Sequence, residues 1–403
     1  MERKVIMLAI LFVSLWRGTL ELCNYFAFHW YNIKPYYPEY LSGVHKNIVN
    51  AAHGAGHWVN WDGYHYLGIV VQGYGTLGLS GAHSEVAFFP GFPASVRLFQ
   101  AILPLNAVLI GLVINFILTI LIAIGIFKLA TLMTYHYAPS MNAAKVGYLS
   151  VLLYFCYPST LFLAAFYADA LLVFAVTWAL YFALKERYFL TAVLVAVAAA
   201  TKSTSLVLLP GIIALICTQM DIKKDWRKAG VRLLLVAGGF ITGLGGYMVY
   251  LTYRFNDPLL FYKVQSLWSR HSGGLFIKRL WEVYYQHLLN PSYYGHLYQY
   301  LIMLLVLALP LLVLSIGTWC YLRWRIAWVP VLGVCLLLGS LESGIMESLN
   351  RYVLILTPYT IVIAWAIIKY KVPRLGVAIL LLSGLALQYY FALGFLQGPY
   401  FAG

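Results

Sequence analysis

A chain of 403 residues with 62% hydrophobic and only 10% charged residues, and a mean hydropathy of +0.80, is too apolar for water; soluble domains carry about 25% charged residues. The formal charge of +14 suits a nucleic-acid binder by its size alone, so its placement along the chain decides what it means. Apolar runs of about eighteen residues or more recur, each able to cross roughly 30 Å of hydrocarbon as a helix. Lipid satisfies no backbone group, which leaves helices or closed barrels, and these runs lack the alternation of barrel strands. The fold class expected is an all-α polytopic membrane protein.

The first run, Val5 to Phe26, is too long for a signal peptide, has no small-residue cleavage site and carries Arg17 and Glu21. It reads as a retained first span at about 5–27. A first extracytoplasmic loop follows over 28–104, dense in Trp, Tyr and His. Further spans are expected at about 105–133, 146–165, 170–184, 188–201, 204–220 and 231–252. A second large loop occupies 253–297, and the last spans fall at about 298–322, 326–341, 351–368 and 375–397. About eleven transmembrane helices thus form one domain over 1–403, with no internal repeat. Gly239 and Gly243 form a G-x-x-x-G pair that predicts close helix packing. The five cysteines all lie in apolar runs with no C-x-x-C pair, which argues against a disulfide framework or zinc site.

With the N-terminus inside, this map puts roughly sixteen of the 27 basic residues on the cytoplasmic side, as the positive-inside rule requires. Arg3, Lys4, Lys145, Lys185, Arg187 and the Lys223–Lys228 cluster are among them, and most acidic residues fall outside. The positive charge therefore reports topology, and no nucleic-acid partner is expected.

Long loops on a compact chain usually carry function. The first contains Trp61-Asp62-Gly63-Tyr64-His65-Tyr66-Leu67-Gly68-Ile69, then Gly73-Tyr74, Glu85 and Ala87-Phe88-Phe89-Pro90-Gly91-Phe92-Pro93. Its aromatic residues predict helices in the membrane interface, and for most of them an aromatic belt is explanation enough. Asp62 is the only carboxylate between Glu39 and Glu85. Partial burial would raise its pKa and suit it to accept a hydroxyl proton; the alternative is a helix cap. His53, His57 and His65 lie nearby but match no standard ligand spacing, so neither a metal nor a cofactor is expected. There is no D-x-D triplet, and Gly54-x-Gly56 lacks the third glycine and the strand–helix context of a phosphate loop.

These strings resemble the signature of the PIG-V family, transferases that add the second mannose in GPI-anchor synthesis and that have bacterial relatives. The resemblance continues through Pro158-Ser159-Thr160-Leu161-Phe162-Leu163-Ala164-Ala165-Phe166-Tyr167-Ala168-Asp169-Ala170-Leu171, where Asp169 replaces the family's usual Glu. It extends to Ala199-Ala200-Thr201-Lys202-Ser203, with Lys202 in place of Arg, and to Asn350-Arg351-Tyr352. It implies a GT-C-type glycosyltransferase with an outward-facing site, a polyprenyl-phosphate sugar donor and Asp62 as catalytic base. The implied acceptor is a glycolipid or cell-surface glycan. The setting is the bilayer of a bacterial plasma membrane, or the ER with a lumenal site in a eukaryote.

A departing phosphate calls for cations, and Lys202, Arg351 and Arg17 are the candidates, since charge at membrane depth defaults to function. An i,i+4 pair with Glu21 would equally explain Arg17, and snorkelling would explain Lys202. Trp61, His65, Glu85, Asp169, Arg270 and His271 are candidates to contact substrate. Asp169 could instead cap the following helix, and Glu85 could shape its loop. The Pro90-Gly91-Phe92-Pro93 elbow would fix the loop against the second span. Two other readings stay open: a GT-C enzyme for another sugar, and a transporter or lipid flippase, which the lack of related halves disfavours.

Overall fold

The computed structural model describes residues 2–30, 43–75, 83–220, 222–268, 297–342 and 348–397, and every regular element among them is helical. Long apolar helices form the frame: α1 (Glu2–His29), α5 (Ala107–Tyr137), α10 (Ile222–Phe255), α12 (Leu297–Trp324) and α16 (Arg374–Gln397). Each has the length and composition to cross a bilayer, and a sixth candidate span is bent by 80° between α14 (Leu349–Tyr352), continued by a 3-10 turn to Ile355, and α15 (Thr357–Lys369). Such helices make the chain an integral multi-pass membrane protein. The other five expected spans are apolar helices of 10 to 17 residues, too short to cross about 30 Å singly. They include α6 (Ala143–Phe155), α7 (Asp169–Leu184), α8 (Tyr188–Thr201), α9 (Leu208–Gln219) and α13 (Trp328–Glu342).

Chain chemistry explains several boundaries. Asn106 caps α5 by accepting from Val108 N, and Asn142 caps α6 by accepting from Lys145 N at 2.9 Å. Gly239 and Gly243 on α10 face the carbonyls of Ala192 and Ala196 on α8 so closely that a Cβ would collide with either, which is the predicted small-residue packing.

The expected span at 146–165 is corrected. α6 stops at Phe155, Pro158 starts a 3-10 turn over Pro158–Leu163, and non-helical chain continues to Ala168. Hydropathy sees one apolar run because this whole stretch is buried in protein rather than helical. Irregular backbone at such a depth needs internal partners, and buried polar side chains supply them. Asn115 on α5 donates to Ala165 O (2.7 Å) and Tyr167 O (2.9 Å), and Gln388 on α16 donates to Phe155 O (3.2 Å) and Tyr157 O (3.1 Å).

The first loop is also more deeply built than an interfacial belt. It contains α2 (Gly43–Ala51), α3 (Asp62–Gln72) and α4 (Gly91–Gln100), with 3-10 turns at His53–Trp58 and Ser84–Ala87. Residues Gly63 to Val70 of α3 are all buried, as is Trp58. They are held to the 158–168 stretch by Phe166 N donating to Trp58 O and Tyr167 Oη donating to Asn60 O, both at 3.0 Å. The elbow docks on α8: Gly91 is pressed against Ala200 and Thr201, and α4 also packs on α5, the expected second span. Of the second loop, 253–297, the described part includes the short helix α11 (Leu260–Lys263) and a 3-10 turn over Val264–Trp268.

Candidate functional site

Four charged residues from distant parts of the chain meet where α3, α7, the end of α8 and α14 converge. Asp62 and Asp169 are the first residues of α3 and α7, where the helix dipole favours negative charge. Neither is the cap: those positions belong to Trp61 and Ala168, and no side-chain cap bond is made at either end. Trp61 has φ +51°, a rare value for a bulky residue, and this turn sets the start of α3.

Arg351 on α14 is 2% exposed. Its Nη1 lies 2.8 Å from Asp62 Oδ2 and its Nε 3.9 Å from Asp169 Oδ1, while Lys202 Nζ donates to Asp169 Oδ1 at 3.0 Å. The guanidinium is walled by the rings of Phe162, Tyr167 and Tyr352, 5.3, 5.3 and 5.8 Å from its carbon, and Lys202 sits 5.1 Å from the Tyr352 ring. Neither Nε nor Nη1 of Arg351 makes an aligned hydrogen bond within the described residues, so it is held by charge and by rings.

Burial would push the Asp62 carboxyl up, but the charges of Arg351 and Lys202 outweigh it and hold the group below its ordinary value. This reverses the sequence expectation, which weighed burial without knowing the cations. His65 is pushed down to about 4 by burial, against the pull of Asp62, and is therefore neutral near pH 7.

Asp62, Lys202 and Arg351 line a cavity of about 60 Å³ together with Tyr66, Phe88, Phe89, Ser203, Trp268 and Tyr352. That volume suits about two waters. Ser203 and Tyr352 also line a second cavity of about 830 Å³, whose other walls come from α9, α11, α13 and the turns flanking α9 and α11, mostly apolar. A small charged chamber thus borders a large greasy one.

Other sequence candidates lie elsewhere. Arg17 pairs with Glu21 at 2.6 Å, donates to Ala164 O and lies 4.9 Å from the Trp58 ring. Its partners support the 158–168 stretch and not the charged chamber. Glu85 is fully buried, accepts from Gly75 N at 2.5 Å and shapes its loop. His65 stacks on Phe88 and meets Trp268 edge-on, both at 4.8 Å, behind the cavity wall. Trp61 and Asp169 do not line the chamber either. Arg270 and His271 lie outside the described residues. Among the described residues no cluster of three His, Cys, Asp or Glu could hold a metal ion.

Sequence reading did not single out Tyr66, Phe88, Phe89, Ser203, Trp268 or Tyr352. Five of them had a signal: Tyr66 follows Asp62 by one helical turn, Phe88 and Phe89 belong to the elbow string, and Ser203 and Tyr352 adjoin the two cations. Trp268 is brought in by its Nε1 donating to Ser84 O at 3.0 Å, a tertiary contact with no local signature.

No curated protein matches the sequence. The family model for Mannosyltransferase (PIG-V) matches residues 32–235, half of the chain, a stretch that includes Asp62, Asp169 and Lys202 but not Arg351. The chain belongs to the PIG-V mannosyltransferase family and is a membrane glycosyltransferase.

Proposed function

We propose that the protein transfers mannose from a polyprenyl-phosphate donor to a lipid-linked or cell-surface acceptor on the outer side of the membrane, with inversion. The observation that carries this reading is the junction of the two cavities: a carboxylate and two cations in the small one, and apolar walls in the one that shares Ser203 and Tyr352 with it. An isoprenoid chain fits the greasy cavity, and its phosphate reaches the cations at the border. A nucleotide donor would need polar walls there.

In the proposed reaction Asp62 takes the proton of the acceptor hydroxyl, and that oxygen bonds to the anomeric carbon. The carbon–oxygen bond to phosphate breaks on the opposite face, and its electron pair leaves on the phosphate beside Arg351 and Lys202. A β-linked donor yields an α-linked product. With room for about two waters in the chamber, a hexose enters only as the wall of Phe88, Trp268 and Tyr352 parts.

The test is turnover by purified protein offered polyprenyl-phosphate mannose, the glucose and arabinofuranose analogues, and GDP-mannose, each with and without chelator. Transfer from the lipid-linked mannose in the presence of chelator is expected. Transfer from GDP-mannose alone would refute the donor assignment.

A further inference from the structure

The proposed reaction changes the charge of its leaving group, and the residues around the chamber bear on that change. A sugar-bearing polyprenyl phosphate is a diester with one negative charge. The phosphate released is a monoester carrying about 1.5 to 2 charges near pH 7. Two cations that attract the donor therefore attract the product more strongly, and a site built of cations alone would retain it.

Asp169 stands behind both cations. It is 3% exposed and does not line the chamber, yet its Oδ1 lies 3.0 Å from Lys202 Nζ and 3.9 Å from Arg351 Nε. Its Oδ2 is buried with no hydrogen-bond partner among the described residues. A carboxylate with one oxygen left bare is a poor structural cement, because a buried unpaired acceptor is destabilising. Asp62 in the chamber wall and Asp169 behind it together balance the two cations, so the four groups carry no net charge.

Resting on the lipid-phosphate reading above, we infer that Asp169 is a positioning residue whose fixed negative charge limits how tightly Lys202 and Arg351 hold phosphate, and so permits release of the doubly charged product. Without it Lys202 loses the ion pair it makes among the described residues, and the net charge facing the phosphate rises by one unit. A unit charge about 6 Å away, at an effective dielectric of about 20, alters binding by up to about 100-fold. Turnover then becomes limited by product release.

The experiment measures binding of farnesyl phosphate and of its methyl diester at pH 8 to detergent-purified wild type, Asp169→Asn and Asp169→Glu, with donor kinetics alongside. Asp169→Asn is expected to bind farnesyl phosphate about 10- to 100-fold tighter, with donor KM and kcat both falling and product inhibition strengthened. Asp169→Glu, which keeps the charge, is expected to behave like wild type. A purely structural role predicts the opposite for Asp169→Asn, weaker binding with a higher KM. Unchanged or weaker phosphate binding in Asp169→Asn of wild-type thermal midpoint overturns the inference. If Asp169→Asn does not fold, the wild type decides: dianion and diester are expected to bind within about tenfold of each other, and a larger preference for the dianion overturns it. Absence of binding of either phosphate to wild type would overturn the lipid-phosphate reading, and this inference with it.

Discussion

Replacing Arg351 by Met removes the cation that, among the described residues, reaches both half-buried Asp62 and buried Asp169, while keeping an unbranched side chain between the three rings. At an effective dielectric of about 20, unit charges 2.8 Å apart attract by about 6 kcal/mol, and the 3.9 Å contact adds about 4 kcal/mol. Desolvating the guanidinium and both carboxylates opposes most of this gross attraction. What the substitution exposes is the unpaired charge: Asp62 loses its only ion pair among the described residues, Asp169 keeps Lys202, and breaking a buried pair costs about 3–5 kcal/mol, of which the partly exposed Asp62 should show about 2–3 kcal/mol. The comparison that isolates this effect is a double-mutant cycle with Asp62→Asn, read by reversible unfolding in mixed micelles. In the Asp62→Asn background no bare carboxylate is left at position 62, so Arg351→Met should be milder by about 1–3 kcal/mol. A cost below about 1 kcal/mol for Arg351→Met alone, or strict additivity in the cycle, would refute the charge network.

The acid limb of activity offers a second prediction. Asp62 is held below its ordinary value and His65 is pushed down to about 4, so kcat/KM should stay flat from about pH 8 to about pH 5; an acid limb with an apparent pKa of 6–7 would contradict the assignment. Stability should behave differently. A histidine whose folded pKa is depressed binds more protons when unfolded, so stability is lost as pH falls from its unfolded value of about 6.5 toward 4. His65, and half-buried His57, each pushed down to about 4 chiefly by desolvation, should therefore lower the unfolding temperature at pH 5 relative to pH 7, and equal values would contradict their standing as neutral rings. Orientation is tested with single cysteines in a cysteine-free background. Position 257 should react with an impermeant thiol reagent added outside and position 225 should not, and the reverse labelling would move the charged chamber to the cytoplasmic side.

Much of the chamber was legible because its parts are chemically conspicuous in an apolar chain. Asp62 stands alone among aromatic residues, and Lys202 and Arg351 are charges that hydropathy puts at span ends. Their meeting was not legible, since it depends on α3 sinking into the protein and on the 80° bend beside Leu356. Arg17, a candidate phosphate ligand by sequence, makes the i,i+4 pair with Glu21 that was its other explanation, and it also has a partner that sequence does not show. Its second partner is the Ala164 carbonyl, which is free to accept only because the chain from Pro158 to Ala168 is not a regular helix, and composition cannot separate a buried irregular stretch from a span. The raised pKa expected for Asp62 failed in the same way, because burial is a local guess and the offsetting cations arrive from residues 202 and 351. The short helices α7, α8 and α9 match their expected positions but not the length that a simple span requires, and α6 covers only the first part of the run expected at 146–165.

The most direct measurement is single-turnover mannosyl transfer by Asp62→Asn with saturating polyprenyl-phosphate mannose. Asn keeps the size of the side chain but cannot take the hydroxyl proton, and Asp62 makes no cap bond whose loss could confuse the result. The rate of the chemical step should fall by about 10²–10⁴ while donor binding stays within a few-fold of wild type or tightens, because one negative charge facing Arg351 has gone. A wild-type rate in well-folded Asp62→Asn would contradict the account.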